Sequence, residues 1–122
     1  MTNPIARLKC AARIARQIYD SERSEFDLLR EAGVVIPELA AIEREKEIGR
    51  HEAQGPSIAL LKQAGRLRTD LNEAEARDIF WALTGRDIYR MLVIERKWSS
   101  DLYENWLTQT IVSTLVNTTT QI

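Results

Sequence analysis

Apolar residues recur along this chain at three- and four-residue steps, the spacing that stacks them on one side of a helix at roughly 100° per residue. Asn3 before Pro4 is a cap followed by a first-turn proline, and Ile5, Leu8, Ala11, Ala12, Ala15, Ile18 and Tyr19 then line one face to about residue 20. Lys9, Arg13, Arg16 and Gln17 take the other face, and Arg7 sits at the edge of the apolar side. A shorter helix is predicted from about Ser24 through Phe26, Leu28, Leu29 and Ala32, closed by Gly33. Pro37 opens PELAAIEREKEIGRHEAQ, whose early part is expected to bury Leu39 and Ile42. Its later part is nearly all charged, and reads as a solvated helix or as one wall of something polar. Gly55 and Pro56 should kink or split this run before Ile58, Leu61 and Ala64 resume the pattern up to Gly65.

The segment IFWALTGRDIY, Ile79 to Tyr89, changes its apolar face midway. Ala76, Ile79, Phe80 and Leu83 fall on one side, whereas Ile88, Tyr89 and Leu92 fall nearly opposite, with Trp81 among the second set. Cover from more than one direction is therefore required. Asn72 with Glu75 makes a capping box, and Thr84 with Asp87 offers another where the face changes. Ser99 or Ser100 caps a last helix carrying Leu102, Tyr103, Trp106, Leu107, Ile111 and Leu115. No alternating strand pattern or glycine-rich hairpin interrupts this, so the fold class is all-α, a bundle of about five to seven helices in one domain over 1–122.

Composition sharpens the picture mainly by exclusion. With 44% apolar and 29% charged residues the chain is globular rather than disordered. Seventeen basic against eighteen acidic side chains leave a net charge of -1, and so no global drive toward nucleic acid or an anionic membrane. No run reaches the roughly 18 apolar residues of a membrane span, and MTNPIARLKCAA lacks a signal peptide's apolar core, which makes the cytoplasm the expected compartment. Cys10, the single cysteine, reads as a small buried hydrophobe.

Signatures of catalysis fail in turn. HExxH, CxxC, G-x-S-x-G, GxxxxGK[ST] and GxGxxG are all missing, so no enzyme, metal or cofactor is expected. Glu43, Glu47 and His51 share a helical face at four-residue steps, a spacing able to hold a cation but also common on solvated faces. ALTGRDIYRMLV has the turn of a helix-turn-helix, yet its second half is filled with buried residue types, so it does not read DNA.

The AGRLR turn, the EAEA helix start, the FWALTGRDIYRMLV core and the RKWSSDLYENWL junction, within residues 59–116, resemble the C-terminal regulatory domain of TetR-family transcriptional regulators. PIARLKCAARIARQIY and PELAAIEREKEIGR are similar to that domain's first helices. The resemblance implies a ligand-sensing and dimerisation domain, a homodimer whose last two helices from each subunit form a four-helix interface. Tyr89, Leu92, Leu102, Tyr103, Trp106 and Ile111 would lie at that interface, and one face of Glu73 to Arg96 would meet the partner. A small-molecule effector would bind among Tyr19, Phe26 and Trp81 as walls, with Arg7 and His51 as polar anchors. DNA would be contacted only through an N-terminal domain that precedes this region in the family and is absent from this chain. The alternative is a structural module that dimerises, titrates full-length relatives and takes no ligand. Gly55-Pro56 departs from the long uninterrupted helix common in the family.

Overall fold

The computed structural model describes residues 3–23 and 37–117, and the helix expected over Ser24 to Ala32, with Phe26, lies outside them. The described elements are α1 (Pro4–Ser21), α2 (Pro37–Ala53), α3 (Gly55–Gln63), α4 (Glu73–Leu83), α5 (Arg86–Tyr89), a π-helical turn (Arg90–Glu95) and α6 (Ser100–Leu115). The all-α class is confirmed: among the described residues there is no strand, and the only β-type pairing is a bridge between Leu67 and Val116. No helix among them is long and apolar enough to cross a membrane.

The core is a seam between α1 and α6. Leu8, Ala12, Ala15 and Tyr19 of α1 are buried, and Tyr103, Leu107, Ile111 and Leu115 of α6 are fully enclosed. Both sets recur at three- or four-residue steps, so each helix presents one continuous apolar ridge to the other. Each large aliphatic side chain enclosed there contributes roughly 1.5–3 kcal/mol. Ile58 and Leu61 of α3, Ala76 and Phe80 of α4, and Tyr89 and Val93 complete the cluster.

Several local signals are realised as read. Asn3 Oδ1 accepts from the amides of Ile5 and Ala6, and Ser99 Oγ accepts from Leu102, so both caps are side-chain caps. Asn72 and Glu75 form both halves of a capping box. Gly65 adopts φ 71°, the left-handed conformation that ends α3, and the Arg66 amide turns back to the Leu61 carbonyl at 3.0 Å. Beyond it the linker runs extended along the end of α6, with Arg68 N to Leu115 O and Asn117 N to Arg66 O both at 2.9 Å. Gly55-Pro56 does split its helix, with Gln54 as the residue between α2 and α3.

Other expectations are corrected. Ile18 is 45% exposed because it lies about a quarter-turn off the Leu8–Tyr19 ridge. Ile42 is 52% exposed, since α2 turns Glu47 and Arg50, followed by Gln54 just beyond its end, toward the bundle rather than an apolar stripe. Thr84 and Asp87 do not form a capping box. Thr84 ends α4, Gly85 takes an extended backbone (φ -74°, ψ 158°), and α5 starts without a side-chain cap. The change of apolar face is thus a break in the helix: α4 buries Ala76 and Phe80 along one axis, and the next segment buries Tyr89 and Val93 along another. The π-helical turn had no signal in the apolar spacing.

The capping box gives a direct check on this architecture. Asn72→Ala, at an exposed position, should lower unfolding free energy by about 1 kcal/mol in urea titrations with an unchanged slope.

Candidate functional site

A helix that stops inside a protein leaves its last carbonyls without intrahelical donors, and those groups must find partners elsewhere. At the end of α4 they find them on two other helices and on the side chain of Thr84 itself. The Thr84 carbonyl accepts from the Tyr19 hydroxyl of α1 at 2.7 Å. The Trp81 carbonyl accepts from Arg50 Nη1 of α2 at 2.8 Å. The Phe80 carbonyl accepts from the Thr84 hydroxyl at 2.9 Å. That hydroxyl has one proton and two lone pairs; with the proton on Phe80, it accepts from Arg50 Nη1 at 2.7 Å and from Gln54 Nε2 at 2.8 Å. Thr84 is buried, and its hydrogen-bonding capacity is filled.

The same contacts hold α2 against the body. None of its residues is fully buried, so little apolar area fastens it. Instead Trp81 Nε1 donates to the Glu47 carbonyl at 3.1 Å, Arg77 Nε to the His51 carbonyl at 2.9 Å, and His51 Nε2 meets Asp78 at 2.8 Å. Arg50 Nη2 pairs with Glu47 at 2.6 Å while its guanidinium lies 5.3 Å from the Trp81 ring centroid. The charged later part of this helix is therefore the polar wall that its composition left open as one of two readings.

Between that wall and the break lies a half-open cleft of about 370 Å³, whose chemistry is set by Glu43, Glu47, Arg50, Trp81, Arg86 and Asp87. Arg86 bridges two helices, with Nη1 to Glu43 at 3.0 Å and Nη2 to Glu22 at 2.9 Å. Burial works against the Arg86 charge, but Glu22 and Glu43 outweigh it and hold the pKa above the ordinary arginine value. The volume lies within the range of small-molecule pockets, roughly 300–1,000 Å³.

Of the expected pocket residues, Trp81 lines this cleft. His51 sits edge-on to the Trp81 ring, with centroids 5.9 Å apart, beside the cleft rather than in its lining. Tyr19 lies beneath it in the core, where burial raises its phenol above the ordinary value. Arg7 belongs elsewhere: its Nε donates to Ser57 Oγ of α3 at 2.9 Å, which provides a partner inside the protein. Phe26 lies outside the described residues. The guanidiniums that line the cleft are those of Arg50 and Arg86, not Arg7. Glu43, Glu47 and His51 do not converge on a metal; they pair with Arg86, Arg50 and Asp78 respectively, and no metal-ligating cluster occurs among the described residues.

A second polar cluster ties the end of α1 to α5 and α6. Asp20 accepts from the Tyr89 hydroxyl at 2.5 Å, Ser100 Oγ at 2.7 Å and Arg16 Nε at 3.2 Å. Burial acts to raise the Asp20 pKa, but these three hydrogen bonds prevail and hold it below 3.8. Burial and the adjacent Asp20 carboxylate push Tyr89 up to about 12. The Tyr89 ring meets that of Tyr19 at a tilt, with centroids 5.5 Å apart, and that of Tyr103 edge-on at 5.0 Å; the buried Tyr103 hydroxyl has no hydrogen-bond partner among the described residues.

The residues expected at a dimer interface divide into two groups. Tyr89, Tyr103 and Ile111 are enclosed in the core of their own chain, whereas Leu92 and Trp106 are partly buried and Leu102 is 48% exposed. Leu102, Trp106, Gln109 and Ser113 share the outer side of α6, and no charged residue occurs from Asn105 onward. Trp106 stands edge-on to Trp98 at 6.1 Å.

No protein-family model, curated protein or solved structure matches the chain. The reading of the site therefore rests on its own geometry.

Two outcomes follow from that geometry. Thr84→Val keeps the shape but strips two donors of their acceptor, and should cost about 2 kcal/mol in denaturant titrations, whereas Thr84→Ser should cost less than about 1 kcal/mol. Because the Asp20 pKa is lowered on folding, its contribution is complete above 3.8 and is lost as pH falls through the lower folded-state value. Stability measured against pH should therefore drop in the acid range for the parent chain, and Asp20→Asn should flatten that part of the curve.

Proposed function

We propose that this chain is an effector-sensing and pairing domain of the kind that TetR-family regulators carry at their C-terminus. In regulators of that type DNA is read by a separate N-terminal domain. The observation that supports this reading is the layout of residues 81–106. Trp81, Arg86 and Asp87 line the cleft, and the chain runs on through the π-helical turn, which packs on α6. On α6 it presents the uncharged outer side bearing Leu102 and Trp106. A ligand that binds one arrangement of the break more tightly than another shifts the balance between them, and the continuous stretch from Trp81 to Trp106 connects the cleft to the pairing face.

The uncharged side of α6 is the surface assigned to a second copy. In a chain with 29% charged residues, a helix face without charge and with an exposed leucine beside a tryptophan has the composition of an interface centre. A second reading, pairing with no effector, draws support from Arg50 and Arg86, which already have carboxylate partners within the protein. Chemical screening separates the two, because only the sensing domain gains stability from a small molecule.

Light scattering at tens of micromolar should give twice the 14.0 kDa chain mass. Trp106→Glu should halve it while leaving the helical circular dichroism unchanged. A parent chain that remains monomeric removes the pairing half of the proposal.

A further inference from the structure

We infer that the π-helical turn, Arg90–Glu95, is a joint with two registers, held in the wide one by an ion pair between its ends, and that tightening it to α-helix re-aims Trp98 at the pairing face. The inference rests on the reading of the cleft and the outer side of α6 as coupled sites, and adds the device that joins them. A π-helix carries i→i+5 hydrogen bonds where an α-helix carries i→i+4. Here the Arg96 amide donates to the Met91 carbonyl at 3.0 Å, and the Trp98 amide donates to the Leu92 carbonyl at 3.0 Å. In the tighter register Arg96 would donate four residues back, to Leu92, the acceptor that Trp98 uses. The registers thus exchange one donor for another on a single carbonyl. The exchange releases Trp98, whose ring stands edge-on to Trp106 with centroids 6.1 Å apart. Lys97, between the two donors, holds φ 66°, a conformation unfavourable for a residue with a Cβ, so the junction to α6 is already strained.

The wide register has its own fastening. Arg90 Nη1 pairs with Glu95 Oε2, five residues on. Positions five apart lie about 140° apart around an α-helix, whereas the i→i+5 ladder of a π-helix brings them nearly over one another. The pair therefore favours the wide turn over the tight one. Arg90 Nε also lies 3.7 Å from Asp87 Oδ1 in the cleft lining, three residues back, a spacing that an α-helix keeps. One guanidinium thus touches the cleft lining and holds the register. The core does not oppose a change, because Tyr89 and Val93, both buried, are four apart and share a face in either form.

Glu95→Gln tests the fastening, and deletion of Met91, which is 44% exposed, tests the second register. In amide hydrogen exchange of the whole chain, Glu95→Gln should speed exchange at Trp98 about two- to five-fold. The Arg96 amide, which has an acceptor in both registers, should keep its protection. Added salt should speed exchange at Trp98 in the parent chain and do little in Glu95→Gln. Deleting Met91 leaves Tyr89 and Val93 three apart, still on one α-helical face, so that variant should keep its helical circular dichroism and its melting point to within a few degrees while Trp98 loses protection. Equal loss at Arg96 and Trp98 in Glu95→Gln would mark simple fraying and overturn the inference, as would no change at Trp98. An unfolded deletion variant would contradict the second register. Where the parent chain pairs, both variants should alter its dimer dissociation constant, and an unaltered constant would overturn the link to the pairing face. A monomeric parent would remove the pairing half of the functional proposal and leave the exchange results to decide the two registers.

Discussion

The Thr84 hydroxyl, with its one proton and two lone pairs all in use, is the interaction on which the rest of this structure depends. Interrupting a helix in the interior exposes carbonyls that cost roughly 1–3 kcal/mol each if left without donors. Here donors arrive from α1 through Tyr19 and from α2 through Arg50, while Gln54, just beyond α2, donates to the hydroxyl itself. The break thereby becomes the point where three distant stretches of chain meet. Without it, the segment from Glu73 to Glu95 would carry apolar residues on opposing sides of one axis, and a single core would cover only one of them.

The fastening of α2 follows from this constraint. Apolar burial holds α1 to α6 with many small, non-directional contributions, which tolerate small shifts. Directional hydrogen bonds to a few atoms hold α2, and those from Arg50 and Gln54 depend directly on the position of Thr84. A wall attached in this way can move while the α1–α6 seam stays packed. The cleft lies against that wall, so its occupancy and the position of α2 are physically linked.

Much of the architecture was legible because it rests on local chemistry. Asn3-Pro4, Asn72 with Glu75, Ser99 and Gly65 each act within a few residues of themselves, and the Leu8–Tyr19 and Tyr103–Leu115 ridges obey helical spacing. The site was less legible because its partners are far apart in sequence. Arg7 looked anomalous on its own helix, yet its partner Ser57 is fifty positions away. Arg50, within a charged run, gave no sign of reaching a carbonyl thirty-one positions on. The spacing of Glu43, Glu47 and His51 was visible as one face of a helix, but spacing does not tell a polar face against solvent from one against protein. Thr84 was read as the start of a helix because threonine serves both as a cap and, when buried, as a bridge between neighbouring groups.

The central claim is that α2 is held by the polar latch at the helix break rather than by the apolar core. Amide hydrogen exchange in Arg50→Met tests this most directly, since it reads opening helix by helix. The account predicts that exchange across Pro37–Ala53 accelerates by at least about tenfold, while the enclosed amides of α1 and α6 keep the protection they have in the parent chain. Unchanged protection in α2, or an equal loss across all the helices, would contradict it.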